Sequence, residues 1–395
     1  MSSFSIRPAQ EADLDRLIAI HQNAFPDGRT VATRRLNFVQ NARFHRDDLF
    51  VIEDRSHVVG HAFFATTEAW FGGKKLRVGT LASVAVAPEA RGRGVATALL
   101  THLHATSQQA RTELDILYPF SHAFYHRFGY ESASPYVRLR AHPLAFPSGP
   151  QEALHPVTTD DGAHIVALYD QFCSERTGML TRTDEAWERS WAEETLTHLC
   201  MRVGNRVTGY VTFSLRQNEL HGQTRLYVHD WAWADSNAQR ALWNWARSMA
   251  GQVTVIEVDV SREDPLLDAV RDAAQGRFGS AAIEHPIGVL AAGPAIRIVN
   301  LARALAARGW NTQETLTFAV GAERFVVHGG TVEVAPSNAA IEVTISPGGI
   351  AQLAFGGVSV RSLAAMGRLE GTSAEAIARA ERVFSSPAYF SADPF

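Results

Sequence analysis

The feature that most constrains the fold of this chain is a strand–loop–helix pattern. An apolar strand is followed by a loop rich in arginine and glycine, and a helical pattern begins directly after the loop. The strand-like run ends at Pro88, the loop reads Arg-Gly-Arg-Gly at 91–94, and helical spacing of apolar residues begins near Val95. Unpaired amides at a helix N-terminus converge on one spot and carry partial positive charge. Glycines let the backbone approach a ligand, and arginines add charge and paired hydrogen bonds. The pattern favours a pyrophosphate-binding loop over its alternative, an ordinary strand-to-helix turn with solvated arginines.

Length and composition narrow the class of protein. At 395 residues the chain has room for about three domains. Its net charge of −4 argues against a dedicated nucleic-acid binder, and its two cysteines cannot build a disulfide framework. The sequence has no secretory cleavage pattern at its start and no run of about 18 apolar residues. We therefore expect a soluble, cytoplasmic protein without a membrane partner.

Element patterns divide the chain into three blocks, which we predict to be domains at 1–145, 157–286 and 289–395. In the first block, strands are predicted at 48–54, 58–67, 80–87 and 114–117, with a helix at 94–104. The second block repeats this order, with a helix at 165–173, strands at 199–203, 207–214, 225–233 and 253–258, and a helix at 238–249. A helix at 301–307, strands and closing helices follow. The predicted fold class is mixed α/β (α+β).

A second informative stretch is the aromatic segment at 118–131, which follows the short strand at 114–117. It contains Tyr125 and Tyr130 among several phenylalanines. A phenol has an unperturbed pKa near 10, just above that of a thiol, so it can protonate a departing thiolate. The alternative is aromatic core packing, which suits Phe124 and Phe128 better than either tyrosine.

The loop resembles the coenzyme A signature of the GNAT acetyltransferases, Gln/Arg-x-x-Gly-x-Gly/Ala, in its Arg91-x-x-Gly94-x-Ala96. This resemblance implies acetyl-CoA as co-substrate, with the strand before the loop holding the pantetheine arm and the loop holding the pyrophosphate. The residues assigned to acetyl-CoA on this basis are Val84, Ala85, Val86, Arg91, Gly92, Arg93, Gly94, Val95 and Ala96. It also implies that Tyr125 is the general acid, while Tyr130 anchors the next strand.

The equivalent loop of the second block, at 233–242, has lost its glycines and carries Asp235, so this block resembles a degenerate GNAT unit. An active GNAT domain, a degenerate one and a sterol-carrier-protein-like domain together resemble the Eis (enhanced intracellular survival) acetyltransferases over essentially the full length. That resemblance implies a hexamer. It also implies that the carboxylate of the terminal residue, here Phe395, is the catalytic base.

The resemblance implies an amine acceptor, such as an aminoglycoside, a small amine or a lysine side chain. Phe25 and Asp27 match the acidic lining of the family's acceptor pocket, whereas Pro394 and Asn300 stand where an acid is expected. We therefore expect weaker preference for polycations. The alternative function is lipid or small-ligand binding by the third domain, with the GNAT units as scaffold.

Several polar residues are predicted to lie at the surface. His57 and His61 flank Gly60 in a hairpin, and a basic run is expected on a solvated helix face. That run consists of Arg34, Arg35, Arg43 and Arg46. His122 and His126 lie four apart but have no acidic residue at a zinc-hydrolase spacing, so no metal is expected.

Overall fold

The computed structural model describes residues 4–39, 44–218, 223–272 and 286–393. In these ranges three β-sheets are flanked by helices. Within the described residues, no helix is both long enough and apolar enough to cross a membrane.

The first part of the chain forms two long antiparallel strands, β3 and β4, between shorter elements. Its strands are β1 (Phe4–Pro8), β2 (Leu49–Asp54), β3 (His57–Phe71), β4 (Lys74–Val86), β5 (Leu114–Leu117), β6 (Glu131–Ser132) and β7 (Tyr136–Ala141). Its helices are α1 (Leu14–Ala24), α2 (Val31–Val39), α3 (Val95–Gln109) and α4 (His122–His126). The strands predicted at 58–67 and 80–87 belong to the longer β3–β4 hairpin, which turns at two glycines with positive φ, Gly72 and Gly73.

The middle of the chain repeats this arrangement. Its strands are β8 (His155–Pro156), β9 (Thr197–Val203), β10 (Arg206–Asn218), β11 (Gln223–Trp233), β12 (Val255–Ser261) and β13 (Gly288–Ala291). Its helices are α5 (Gly162–Ser174), α6 (Asp184–Ala192), α7 (Ser236–Ser248) and α8 (Leu266–Ala269). Alternate residues of β12 are buried, as expected for a strand with one face on the core.

The last part of the chain contains six strands, of which the last five form a smaller sheet covered by helices. The six strands are β14 (Ala295–Ile298), β15 (Leu316–Val320), β16 (Glu323–His328), β17 (Thr331–Val334), β18 (Val343–Ile345) and β19 (Leu369–Gly371). Its helices are α9 (Leu301–Ala307), α10 (Pro347–Ala354), α11 (Val360–Ala365) and α12 (Ala374–Val383). The helix predicted at 301–307 is α9.

Strands are exchanged between the three parts. The first sheet has the order β1-β2-β3-β4-β5-β14-β6, so β14 enters it from the last part of the chain. The second sheet has the order β13-β7-β12-β11-β10-β9-β8, and therefore takes β7 from within the predicted first domain, 1–145. The third sheet runs β17-β16-β15-β18-β19.

One apolar core joins the first and third sheets. Phe71 and Val78 of the β3–β4 hairpin belong to the same buried cluster as Phe318 and Phe355 of the third part. The Phe71 and Phe355 rings meet edge to face with centroids 5.6 Å apart. This shared core fixes the end of the chain relative to the first sheet.

Candidate active site

The first sheet opens between β4 and β5. Parallel pairing of the two strands runs from Val78–Leu114 to Leu81–Leu117, where β5 ends while β4 continues to Val86. A bulge in β4, with Ser83 at a φ of +50°, bends the strand just beyond this point. An extended ligand can therefore enter the opening beside residues 82–86 of β4 and pair with their backbone.

The glycine loop places the N-terminus of α3 at the same end of the sheet. A short 3₁₀ turn, Pro88–Ala90, leads to Gly92 and Gly94, with φ of +74° and +84°. Gly94 is the N-cap of the 15-residue helix α3. A Cβ added at either glycine would meet no atom within 4 Å, so the backbone conformation rather than crowding requires glycine. Val95 is buried, Ala96 is half-buried, and the loop is exposed to solvent.

The two loop arginines have different surroundings. Arg93 forms an ion pair with Asp54 at the end of β2. Arg91 is exposed, and its Nη2 lies 3.5 Å from the carbonyl oxygen of Asn23. Of the two, Arg91 thus has the weaker protein contact and the freer guanidinium.

Tyr125 lies on α4, opposite the bulged end of β4. Ser121 caps this short helix by accepting a hydrogen bond from the Phe124 amide. The Tyr125 ring is packed edge-on against Phe124 and Tyr130, and burial raises the pKa of its phenol. Tyr130 is buried and lies within hydrogen-bond distance of His104 Nε2, at 3.2 Å.

A cavity of about 970 Å³ lies between the bulged end of β4 and Tyr125. It is lined by Val84 and Tyr125 together with the predicted acceptor residues Phe25 and Asp27. Much of the remaining wall is aromatic: Phe38, Phe44, Phe63, Tyr118 and Phe120. Arg189, Ala192 and Glu193, at the end of α6, complete it from the second domain. The structure thus brings Val84, Tyr125, Phe25 and Asp27 into one space, whereas Ala85, Val86 and the predicted loop residues 91–96 do not line this cavity.

Asp27 does not make this cavity acidic. Its carboxylate accepts a hydrogen bond from Arg34 at 2.5 Å and is paired with Arg29 at 3.0 Å. Desolvation opposes the shift, but the Arg29 amide and the positive charges of Arg29 and Arg34 together lower the pKa of Asp27. Asn300, where the family pattern expected an acid, caps α9 by accepting from the Arg303 amide and is not part of the cavity wall.

Two surface predictions are wrong, one for a residue of the cavity wall and one for a residue that packs against wall residues. Arg34 is 2% exposed, because its guanidinium turns inward to the Phe25 carbonyl, Asp27 and His21. His61 is fully buried, with its ring 5.9 Å from the His21 ring of α1 and 5.3 Å from the Phe38 ring of α2. Burial lowers the pKa of His61 to about 3, and burial with the Arg34 charge lowers that of His21 to about 4.

The other surface predictions concern His57 and the rest of the basic run. His57 and Arg35 are exposed as predicted, whereas Arg43 and the side chain of Arg46 lie outside the described residues.

Sequence reasoning also missed two residues of the cavity wall that only the tertiary structure identifies. No local pattern in the sequence indicates that Arg189 and Glu193 line the same cavity as Phe25. Their placement depends on how the second domain packs against the first.

The second domain retains the fold of the site but not the phosphate loop. Asp235 is the N-cap of α7, and its side chain accepts hydrogen bonds from the Asn237 and Ala238 amides, both at 2.9 Å. A carboxylate therefore occupies the amides that would otherwise face a phosphate, and its charge repels one.

The C-terminal part of the described chain lies in a neighbouring cleft. Asp393 is buried and lines this cleft, which shares Phe44, Tyr118 and Glu193 with the cavity beside Tyr125. Pro394 and Phe395, the predicted base, lie outside the described residues.

Family models match three segments of the sequence. Residues 5–133 and residues 178–289 each match an acetyltransferase (GNAT) domain, and residues 301–391 match a sterol carrier protein domain. A search of curated proteins returns no significant match.

Solved structures share the fold over the whole chain. A GCN5-related N-acetyltransferase from Anabaena variabilis ATCC 29413 is 21% identical, with a TM-score of 0.85 and full coverage of both chains. One from Kribbella flavida is 21% identical, with a TM-score of 0.81, 100% of this chain and 98% of that chain covered. Eis1 from Mycobacterium abscessus is 19% identical, with a TM-score of 0.77 and full coverage of both chains.

The chain is therefore an acetyltransferase enzyme of the GNAT type. It carries two GNAT domains followed by a sterol carrier protein domain, which confirms the predicted fold class.

Proposed function

We propose that the protein transfers an acetyl group from acetyl-CoA to an amine, and that the first domain performs the reaction. The observation that carries this proposal is a set of three features in the first domain: the opening beside β4, the glycine loop at the start of α3 that follows β4 in the chain, and a cavity lined by both Val84 and Tyr125. The residues proposed to bind acetyl-CoA are those of β4 and the loop given above. The second domain, with Asp235 at its helix cap, has no equivalent phosphate site.

The reaction needs no covalent enzyme intermediate. The acceptor nitrogen attacks the thioester carbonyl, a C–N bond forms, the C–S bond breaks, and CoA leaves as a thiolate that takes up a proton. A backbone N–H on the free edge of β4, beside Val84 or Val86, would stabilise the developing oxyanion. This N–H would lower the energy of the transition state because the strand fixes its orientation before the reaction begins.

Tyr125 is proposed as the proton donor to the departing thiolate. Burial raises the pKa of the phenol, so the hydroxyl keeps its proton at neutral pH. The same desolvation destabilises a thiolate formed beside it, and therefore raises the proton affinity of the leaving group as well. Proton transfer then relieves a buried negative charge on sulfur.

The proposed base is the terminal carboxylate of Phe395. An acceptor that enters as an ammonium ion must lose a proton before it can attack. Asp27 is tied to two arginines, and the Glu193 carboxylate accepts hydrogen bonds from the Thr195 amide and hydroxyl. A chain terminus is ionised well below pH 7, and the family resemblance supports Phe395 in this role.

The experiment is an acceptor panel with acetyl-CoA, read by thiol release and by the mass of the product. The panel contains arylalkyl monoamines, a lysine peptide and an aminoglycoside. We expect amine-dependent thiol release with an acetylated product, which disappears in Gly94→Glu. Thiol release that is the same without any amine would contradict transfer to an amine.

Ligand binding by the third domain is the second candidate, and the sterol carrier protein match favours it. The two clefts described in this structure draw no lining residue from 301–386. A fluorescent fatty-acid titration tests this role, and saturable binding that leaves acetyl transfer unchanged would support it. Hexameric assembly is a proposal that rests on the family resemblance, and sedimentation analysis tests it. A cytoplasmic location is also a proposal, and it rests on the sequence features given above.

A further inference from the structure

Arg189 lies where the two clefts of this structure adjoin. It lines both the cavity beside Tyr125 and the neighbouring cleft, together with Phe44, Tyr118 and Glu193. Arg189 belongs to α6, so the second domain contributes this residue to the wall of a cavity built mainly by the first domain. The residue is half-buried, and its charge is therefore less screened by water than that of a fully exposed arginine.

The packing of α6 fixes the position of Arg189. Thr183 caps this helix by accepting a hydrogen bond from the Ala186 amide at 3.2 Å. Trp187 is buried, and its ring packs edge-on against Tyr169 with centroids 5.3 Å apart. Arg189 follows two residues later and so lies on nearly the opposite side of the helix, since one turn takes about 3.6 residues. Burial of Trp187 in the second domain therefore directs Arg189 toward the clefts.

The Arg189 guanidinium has no partner among the described residues. No hydrogen bond, ion pair or aromatic contact joins it to another side chain in that part of the protein. Glu185, one turn earlier, has its pKa lowered chiefly by a hydrogen bond with Thr183, and the Arg189 charge is the smallest cause. Glu193, one turn later, accepts a hydrogen bond from the Thr195 hydroxyl at 2.7 Å. Both neighbouring acids therefore have other partners, and neither neutralises Arg189.

The other arginines described in the two walls already have partners. Beside Tyr125, Arg29 and Arg34 both pair with Asp27. In the neighbouring cleft, two arginines pair with carboxylates and a third donates to a backbone carbonyl at 2.6 Å. These three are Arg138, Arg182 and Arg176. Arg189 differs from all of them because its guanidinium is left unpaired by the described part of the chain.

The charges in the wall of the cavity beside Tyr125 favour an anionic group on the ligand. Among the described residues, three arginines and two acids line this cavity: Arg29, Arg34, Arg189, Asp27 and Glu193. The wall therefore carries an excess positive charge, and the unpaired member is Arg189. A guanidinium presents paired N–H groups whose spacing matches the two oxygens of a carboxylate. A carboxylate on the ligand would pair with Arg189, whereas a second ammonium group would be repelled.

We propose that the acceptor is a primary amine that also carries a carboxylate on an aromatic or apolar body, and that Arg189 binds this carboxylate. The inference rests on the proposed function, because it names the class of amine that the first domain acetylates. The aromatic wall packs against the body of the acceptor, and the amine faces the thioester. Arg189 determines specificity from the second domain, away from the atoms that react.

The test compares acceptors that share one aromatic body. Phenylalanine carries a carboxylate, and phenylalaninamide replaces it with a neutral group of similar size. The pair para-(aminomethyl)benzoate and para-(aminomethyl)benzamide repeats the comparison with the amine and the acid group at opposite ends of the ring. Because amine basicity differs within a pair, the quantity compared is the change in the acid-to-amide ratio of kcat/KM between wild type and variant. We expect Arg189→Gln to lower this ratio about tenfold in at least one pair.

Charge reversal and a matched control separate recognition from stability. Arg189→Glu should raise kcat/KM for para-xylylenediamine relative to para-(aminomethyl)benzoate above the wild-type ratio. Arg206→Gln makes the same change as Arg189→Gln at an exposed position of the same domain outside both walls, and should keep the wild-type ratios. A positive charge in the last turn of α6 also favours the helix. If Arg189→Gln lowers Tm but leaves the acid-to-amide ratio of both pairs unchanged, the residue is only structural and the inference is overturned.

A ligand that cannot react distinguishes failure of this inference from failure of the proposed function. Phenylpropionate has the aromatic body and the carboxylate but no amine, and its binding is measured by calorimetry. We expect binding that is about tenfold weaker in Arg189→Gln. Such binding without acetylation of any amine would contradict the proposed function and still support a carboxylate site at Arg189. Acetylation of amines, with acid-to-amide ratios and phenylpropionate binding that do not depend on Arg189, would keep the proposed function and overturn the inference.

Discussion

Arg34 is buried in the wall of the acceptor cavity and donates a hydrogen bond to the Asp27 carboxylate at 2.5 Å. With Arg29 on the same carboxylate, two positive charges face one negative charge at this end of the cavity. An amine with several positive charges gains little there, whereas an aromatic or apolar amine can pack against the phenylalanine-rich wall. The acceptor preference that we propose therefore depends on an ion pair that the sequence does not reveal.

Replacement of Arg29 tests this charge balance. Arg29 is more than half exposed in its ion pair with Asp27, so Arg29→Gln removes one positive charge without opening the core. We expect kcat/KM for an aminoglycoside to rise about two- to fivefold relative to a monoamine, because solvent weakens an exposed ion pair of this kind. Arg35→Gln is the control, because Arg35 pairs with Asp15 outside the cavity wall. A wild-type ratio in Arg29→Gln would contradict the account.

Loss of the Tyr125 hydroxyl should slow turnover while leaving the acetyl-CoA dissociation constant unchanged. Tyr125→Phe keeps the ring and its edge-on packing with Phe124 and Tyr130. General acid catalysis typically contributes about 10²–10⁴-fold to the rate. Single-turnover kinetics provide the measurement, and Tyr136→Phe, outside this cavity, is the control. A single-turnover rate equal to wild type would assign the proton to another donor.

The buried His61 should make stability sensitive to acid. Burial lowers its folded pKa to about 3, below the unfolded value of about 6.5, so the unfolded chain binds the extra proton as pH falls. The neutral, buried His61 therefore contributes fully to the free energy of unfolding above about pH 6.5, and this contribution decreases as pH falls below that value. The decrease between pH 7 and pH 5 is about 1–2 kcal/mol. Urea unfolding of His61→Leu should show a smaller loss over this range. His57→Leu, at an exposed position of the same strand, should keep the wild-type slope.

Blocking the chain end should separate folding from catalysis. A C-terminal affinity tag converts the terminal carboxylate into an amide, so we expect a severe loss of turnover in a protein that still binds acetyl-CoA. An N-terminal tag should leave turnover intact. Equal activity of the two tagged proteins would show that another group removes the proton.

The sequence predicted the architecture and the strand–loop–helix conformation at 84–96 because both depend on local patterns. Alternating apolar residues predict the strand β12. The glycines at 92 and 94 indicate positive φ angles, which this strand-to-helix loop requires. The predicted residues Phe25, Asp27, Val84 and Tyr125 do line one cavity.

The contacts that could not be predicted from the sequence are those between distant parts of the chain. Arginine is usually a surface residue, so the sequence alone places Arg34 in solvent. Only its inward contact with Asp27 shows that it belongs to the cavity wall. Arg182 and Asp393 are 211 residues apart and form an ion pair that tertiary packing brings together. The exchange of β7 and β14 between sheets likewise has no local signal, since strand pairing of this kind is set by tertiary packing.

Acetyl-CoA binding by calorimetry tests the central claim most directly, because it asks whether the first domain alone holds the coenzyme. We predict one site per chain, lost in Gly94→Glu, where a side chain at a φ of +84° and a negative charge would stand at the start of α3. Asp235→Asn, at the helix cap of the second domain, should keep one site with unchanged affinity. Two equivalent sites per chain, or normal binding by Gly94→Glu, would contradict the account.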